Sequence, residues 1–248
     1  MPAVKWFVEH FRTVAQKTGS IRELKFPWPA DCLLCLDAVR GAMVCDNCER
    51  LLPNSRRRCP RCALPMSEDW WCADCLREPP AFDDVVTAFD YRFPIDRLVR
   101  RFKFSADLAT GAYLGDALAR AAATAPMPDL VLASPASAAR LRERGFNPAL
   151  VLARRVASAA GIAVDSRVVA KIRHTPPQTG LDHATRRRNL RGAFAVRRRL
   201  DGIHVAVVDD VMTTGTTLSA LAAVLKAAGA ARVSGWVAAR TPEPPRED

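Results

Sequence analysis

The stretch AVVDDVMTTGTTL, residues 206–218, ends an apolar run on two adjacent acids and then sets four threonines around one glycine. Ile203, Val205, Val207 and Val208 are strand material, so Asp209 and Asp210 are expected to emerge at the strand's carboxyl end. Thr213, Thr214, Gly215, Thr216 and Thr217 then form the turn into a helix. Backbone N–H groups at such a helix start converge on one point, and the helix dipole adds partial positive charge there. The threonine hydroxyls supply further donors, and Gly215 lets the backbone approach an anion closely. Together these features suit a phosphate monoester, while the two carboxylates suit vicinal hydroxyls or a metal-bound diol. A group with phosphate at one end and a diol beside it is a ribose 5-phosphate. Neither a Walker P-loop nor a Gly-x-Gly-x-x-Gly turn fits, because no Gly-Lys-Ser/Thr follows and acids precede the turn. The plainer alternative, a threonine-capped strand–turn–helix junction, leaves the acids unexplained.

Working outward, segments of the two periodicities alternate. VVTAFDY, DLVLASP, IHVAVVDD and ARVSGWVAAR read as strands. PIDRLVRRFKF, LATGAYLGDALARAAATA, PALVLARRVASAAG and TLSALAAVLKAAG read as helices. Such alternation implies an α/β fold, a parallel sheet covered by helices on both faces, with ligands beyond the carboxyl ends of the strands. Asn147 before Pro148 has the form of an N-cap with proline at the first helical position, and Gly161 and Gly229 sit where helical patterns end. Residues 171–200 lack clean periodicity and carry Pro, Gly and many arginines, so a mobile basic loop is expected there.

All eight cysteines fall between residues 32 and 75. They read Cys32-x2-Cys35-x9-Cys45-x2-Cys48 and Cys59-x2-Cys62-x9-Cys72-x2-Cys75, each member of the second set 27 residues after its counterpart. Paired Cys-x2-Cys turns make tetrahedral sulfur sites, so two structural zinc ions are expected, closed by four thiolates each. Grouping within each repeat is simplest, but exchanged pairs remain open at this stage. A thioredoxin-like redox pair would not recur four times, and disulfides fit poorly with a chain that shows no secretory signal. REPPAFDD reads as a hinge after this module.

The net charge of +11 is concentrated: residues 136–200 hold fifteen Arg/Lys against three Asp/Glu, and the remainder nearly cancels. Such a block suits a polyanion, either nucleic acid or a polyphosphate, unless it is only a solvated arginine surface. No run approaches the roughly 20 apolar residues of a membrane helix. Val4, Phe7, Val8, Phe11 and Val14 share one helical face, so residues 1–30 read as an amphipathic helix and linker that pack on the body, with attachment to a membrane surface as the alternative. A soluble, cytoplasmic protein is expected.

At VVDDVMTTGTT the chain resembles the phosphoribosyl pyrophosphate (PRPP) signature of type I phosphoribosyltransferases. With the cysteine repeats, RLRERGFNPALVLAR and RHTPPQTGLDHATRRRNLRGAF, it is similar to the ComF family, named for a competence protein in DNA uptake. Two places depart from the family pattern: Pro148 stands where Gln is usual, and Ala133-Ser134-Pro135 replaces Pro-x-Pro. The resemblance implies a double zinc ribbon over residues 31–78 and a phosphoribosyltransferase-like domain over 79–242. It implies PRPP with its 5-phosphate on residues 213–217, Asp209 and Asp210 on the ribose hydroxyls, and Mg²⁺ bridging to the pyrophosphate. Ser134, Arg140, Arg142 and Arg144 then fall near the pyrophosphate, and Arg186 and Asn189 on a closing loop, with Gln178 and His174 as weaker candidates. Asp209, Asp210 and Arg186 would carry the catalysis. The resemblance equally admits a scaffold or PRPP sensor that binds single-stranded DNA or DNA-uptake proteins without transferring anything. No acceptor motif is visible.

Overall fold

The computed structural model describes residues 30–68, 70–173 and 192–243. The amphipathic helix expected near the N-terminus lies outside them. In the cysteine-rich segment, β1 (Ala30–Asp31) pairs antiparallel with β2 (Ala38–Val39), and helix α1 (Asp46–Arg50) follows. Helix α2 (Ala73–Arg77) takes the matching place in the second copy, where a bridge between Arg58 and Pro65 corresponds to the pairing of Asp31 with Ala38. The duplication reaches the backbone: Cys32 N–H donates to Asp37 O and Cys59 N–H to Leu64 O, both at 2.8 Å. Leu36 and Ala63, at φ 67° and 53°, make the same left-handed turn in the two copies.

The remainder is β3 (Asp84–Asp90), α3 (Ile95–Ser105), α4 (Leu108–Ala122), β4 (Leu130–Ala133), α5 (Ala138–Arg144), α6 (Pro148–Ala160), β5 (Val169–Lys171), β6 (Phe194–Val196), β7 (His204–Met212), α7 (Thr216–Ala227) and β8 (Arg232–Arg240). Strands β3, β8, β7 and β4, in that order, form a parallel sheet. One face, with Ala206, Val208 and Trp236, packs on Phe102 of α3, Leu118 of α4 and Leu152 of α6. The other, with Val205, Val207 and Val237, packs on Leu221 and Leu225 of α7. Gly235 lets α7 come this close, since a Cβ there would lie 2.2 Å from Leu218 Cδ2. The expected parallel sheet with helices on both faces is present. The Asn147 side chain caps α6 by accepting from Ala149 N–H at 3.1 Å, and Gly161 ends that helix at φ 71°.

Three features depart from expectation. Strand β7 does not stop at the acids but continues to Met212, held by β8 as far as the Met212–Arg240 pair. Its other neighbour, β4, reaches only from Leu130–Val205 to Ala133–Val208, so residues 209–212 project past β4. Secondly, the described ends of the supposed mobile loop are ordered as an antiparallel β5–β6 pair, because Ala193, Phe194 and Leu200 are buried anchors. Thirdly, the arginine-rich segment after Pro135 is helical. The Ser137 hydroxyl accepts from Arg140 N–H at 3.3 Å to start α5, and Gly145, at φ 76°, ends it.

Both cysteine copies dock onto this body. Cys32, Val39 and Leu52 join the apolar cluster of Ile95 and Val99, whereas the four cysteines of the second copy join that of Val207 and Leu221. Arg58 donates to Asp90 at the end of β3 at 2.7 Å, and Tyr113 of α4 donates to Glu49 at 2.6 Å. Among the described residues no helix is long and apolar enough to cross a membrane.

Candidate functional site

Because β4 stops short, Asp209 and Asp210 lie where β7 has only β8 as a neighbour, with Asp209 half-buried and Asp210 buried. Successive strand residues face opposite sides, so Asp209 shares a side with Val207 and Val211, and Asp210 one with Val208. Asp210 is 9% exposed and meets Lys103 Nζ of α3 at 2.8 Å. Its Oδ1 also accepts from Val211 N–H at 2.6 Å, while Asp209 Oδ1 accepts from Asp210 N–H at 2.9 Å. Burial first, and the Asp210 charge second, push the Asp209 carboxyl up to about 6; the Asp210 amide, Lys103 and the Ser134 hydroxyl act in the opposite direction. Lys103 was not legible as a site residue from the sequence. Its only signal is a cation in the last turn of an amphipathic helix that runs toward the strand ends.

Beyond Met212 the chain turns through Thr213 and Thr214, both exposed, into Gly215 at φ 75°. No side chain caps α7, so its leading N–H groups keep no acceptor within the helix and are available to an anion. Thr214 Oγ1 and Thr216 Oγ1 lie 2.7 Å apart, aligning two hydroxyls at the same spot, and Thr217 is half-buried beside them. The turn is backed by side chains: a Cβ on Gly215 would lie 2.6 Å from Met212 Cε and 3.4 Å from Phe82 Cε1. A cavity of about 950 Å³ opens on Thr213 and Thr214, walled by the second cysteine copy, residues 78–82, the outer face of α7 and residues 240–243.

Ser134 is buried next to this site, its N–H donating to Val208 O at 2.8 Å and its carbonyl accepting from Asn147 Nδ2 at 3.0 Å. The structure thus brings together Asp209, Asp210, Ser134 and residues 213–217. The arginines of α5 are less uniform than the sequence implied. Arg140 and Arg142 are exposed; Arg144 stacks over Phe104 at 4.9 Å. Burial, with Arg140 second, holds the Lys171 ammonium below its usual range. Arg197 and Arg198 are exposed after β6, whereas Arg199 forms a bidentate pair with Asp201 at 2.8 and 2.7 Å. Cations outside the 136–200 block matter too, since Arg92, Arg97 and Arg100 are exposed at and just before α3. Arg186, Asn189, His174 and Gln178 lie outside the described residues.

The cysteines group within each repeat: the sulfurs of Cys32, Cys35, Cys45 and Cys48 lie within 4.8 Å of one another, as do those of Cys59, Cys62, Cys72 and Cys75. Exchange between repeats is thereby ruled out. The sulfurs of Cys35 and Cys45 are 3.7 Å apart in the first site, and those of Cys62 and Cys72 3.6 Å apart in the second. Zinc–sulfur bonds of about 2.3 Å give a tetrahedron with edges of about 3.8 Å, so the spacing fits zinc. Cys45 N–H donates to Cys32 Sγ and Cys72 N–H to Cys59 Sγ, each at 3.4 Å. Burial opposes ionisation of Cys32, but the amides of Cys35, Cys45 and Leu34 outweigh it and bring the thiol down to about 6. The same balance, with the amides of Cys72, Cys62 and Arg61, brings Cys59 to about 7. Backbone amides thus favour thiolate at the first cysteine of each site. None of the eight cysteines is in a disulfide. The second site is buried throughout, and the first leaves Cys35 exposed. Two structural zinc sites follow.

Comparison with known proteins agrees with both halves. A double zinc ribbon domain matches residues 24–76 and a phosphoribosyl transferase domain residues 144–248. The DNA utilization protein YhgH of Salmonella typhi is 34% identical over 205 residues, covering 80% of this chain and 90% of that protein. Competence protein F of Haemophilus influenzae is 29% identical over 207 residues, covering 79% and 90%. Among solved structures, glutamine PRPP amidotransferase from B. subtilis is 20% identical with a TM-score of 0.40, over 56% of this chain and 30% of that one.

Proposed function

Because the chain belongs to the ComF family of competence protein F and YhgH, we propose that it binds PRPP with Mg²⁺ at the end of β7 and transfers the phosphoribosyl group to an acceptor. The observation that carries this reading is the overhang of β7, which sets two carboxylates beside the uncapped start of α7. On this reading the 5-phosphate lies on the amides of residues 215–217 with the hydroxyls of Thr213, Thr214, Thr216 and Thr217. Asp209 and Asp210 take the ribose hydroxyls. Ser134, Arg140 and Arg144 fall to the pyrophosphate, and Arg186 and Asn189 to loop closure. Two carboxylates and a diol form the hard oxygen set that suits Mg²⁺, which would neutralise charge on the departing pyrophosphate. In the transfer, the C1–O bond breaks and its electron pair leaves with pyrophosphate, while the acceptor's lone pair forms the new bond at C1. The Asp209 and Asp210 carboxylates favour the positive charge that develops on the sugar between these events. Residues 31–78 serve as the ribbon module and 79–242 as the catalytic body, in a reducing cytoplasm, which suits eight cysteines that ligate metal and form no disulfide.

Titration calorimetry with PRPP and Mg²⁺ tests this. The parent binds, and Asp209→Asn and Asp210→Asn each weaken binding roughly 10- to 150-fold, the equivalent of about 1.5–3 kcal/mol for a lost charge-assisted hydrogen bond. A parent protein that takes up no PRPP defeats the proposal.

A second reading, a nucleic-acid binder of DNA uptake, is favoured by the exposure of Arg197, Arg198, Arg97 and Arg100. Binding of single-stranded DNA would then fall with salt at a log–log slope of about −0.7 per neutralised phosphate. In fluorescence anisotropy, Arg197→Gln with Arg198→Gln should weaken it and spare PRPP. Arg199→Gln adds less, since Asp201 already neutralises that cation.

A further inference from the structure

Arg240 ends β8 directly opposite Met212 and is 6% exposed. Its Nε donates to the Cys62 carbonyl at 3.0 Å. Its Nη1 donates to the carbonyls of Met212 at 3.3 Å and Thr241 at 2.6 Å, and to that of Thr213. Every one of these acceptors is a backbone carbonyl; among the described residues no carboxylate pairs with this guanidinium. Buried arginines are ordinarily paired with an acid, because carbonyl dipoles offset the desolvation of a full charge only in part. Here the unbalanced charge sits under the first residue of the anion loop, where a phosphate dianion would complement it.

The two ends of this contact belong to different structures. The Cys62 carbonyl is in the Cys59-x2-Cys62 turn, whose shape is set by the sulfurs that converge on the second metal site. The Thr213 carbonyl opens the loop that leads to Gly215. A parallel contact reinforces the link: Arg61 Nη1 donates to Phe82 O at 3.4 Å, and the Phe82 ring backs Gly215.

We propose that Arg240 is a positioning residue that couples the second zinc site to the phosphate loop, so that metal in the ribbon holds residues 213–217 in their anion-binding shape. The proposal rests on reading those residues as the phosphate loop. When the second zinc leaves, the Cys62 turn relaxes, the guanidinium loses an anchor and the Thr213 carbonyl is no longer fixed. Linkage makes the effect reciprocal: an anion on the loop must retain the zinc by the factor by which the zinc strengthens the anion.

Amide hydrogen exchange and zinc release on the full chain test this. Arg240→Met should keep two zinc ions per chain yet exchange the amides of residues 213–217 at least about fivefold faster, with those of β4 unchanged. Arg240→Lys, which retains charge but cannot span several carbonyls with a planar fork, should fall between the two. In the parent, a chelator should remove the exposed first zinc quickly and the second slowly. Ribose 5-phosphate should slow only the second phase, and Arg240→Met should abolish that slowing. If Arg240→Met does not fold, removing the second zinc from the parent must still speed exchange at 213–217. Unchanged exchange there, after mutation or metal removal, overturns the coupling. A parent protein that shows the exchange effect but no response to ribose 5-phosphate keeps the coupling and overturns the phosphate-loop reading instead.

Discussion

Asp209 and Asp210 are neighbours in the chain that the strand turns to opposite sides, and their surroundings differ accordingly. Asp210 has Lys103 at 2.8 Å, whereas desolvation and the neighbouring Asp210 charge raise the carboxyl of half-buried Asp209 to about 6 from an ordinary 3.8. Ionising Asp209 therefore costs stability: the penalty is absent below 3.8, grows through the interval and is complete above 6. Asp209→Asn should raise stability by on the order of 1–2 kcal/mol above that range, in the same protein that loses PRPP affinity. Calorimetric melts across pH would show the gain shrinking toward zero in acid. Gly215 is constrained from two directions, by φ 75° and by Met212 Cε at 2.6 Å from any added Cβ. Gly215→Ala should cost about 1–3 kcal/mol in urea unfolding. At this scale the acids, the threonines and Gly215 were legible because their types are unusual together. Lys103 and Arg240 were not, since each is joined to the site only by folding, from 107 and 27 residues away from Asp210 and Thr213 respectively.

The longer helices are legible because each carries a sustained apolar period of 3.6, and the sheet strands because each is a short, nearly continuous apolar run, as strands buried on both faces are. The elements that escaped are short. Helix α5 has seven residues, and β5 and β6 three each, too few for periodicity to separate them from an arginine-rich loop. In α5 the signal lay in its ends, Ser137 and Gly145, rather than its face. Strand β7 was read two residues short because Val211 and Met212 lie beyond charges that look like a boundary. The cysteine repeat was the clearest element-level signal, yet the unequal burial of its two sites depends on docking. That inequality predicts unequal mutants. Elemental analysis should find two zinc ions in the parent and about one in both Cys35→Ser and Cys59→Ser. Cys59→Ser should lower the melting temperature far more, because Cys59 is 2% exposed within the sheet's apolar cluster and Cys35 is at the surface.

Across the whole molecule, the ribbons are joined to the body by charge as well as by apolar packing. Asp90, 4% exposed at the end of β3, receives Arg58 at 2.7 Å and the Ser55 hydroxyl at 2.5 Å. Asp90→Ala removes the carboxylate partner of the half-buried Arg58 guanidinium and should cost about 1.5–3 kcal/mol in urea unfolding. The second cysteine copy contributes a wall of the cavity beside the threonine turn, so that copy, the ends of β7 and β8 and the helix α7 meet at one place. Among the described residues the exposed cations are spread across α3, α5 and the segment after β6. In the proposed complex, ribose 5-phosphate is held by the amides at the start of α7 together with Asp209 and Asp210 at the end of β7. A crystal structure of the zinc-loaded chain with PRPP and Mg²⁺ tests it most directly. Density for the 5-phosphate is expected on the N–H groups of residues 215–217, with the ribose hydroxyls against Asp209 and Asp210. Ligand density elsewhere, with that turn and both carboxylates untouched, would contradict it.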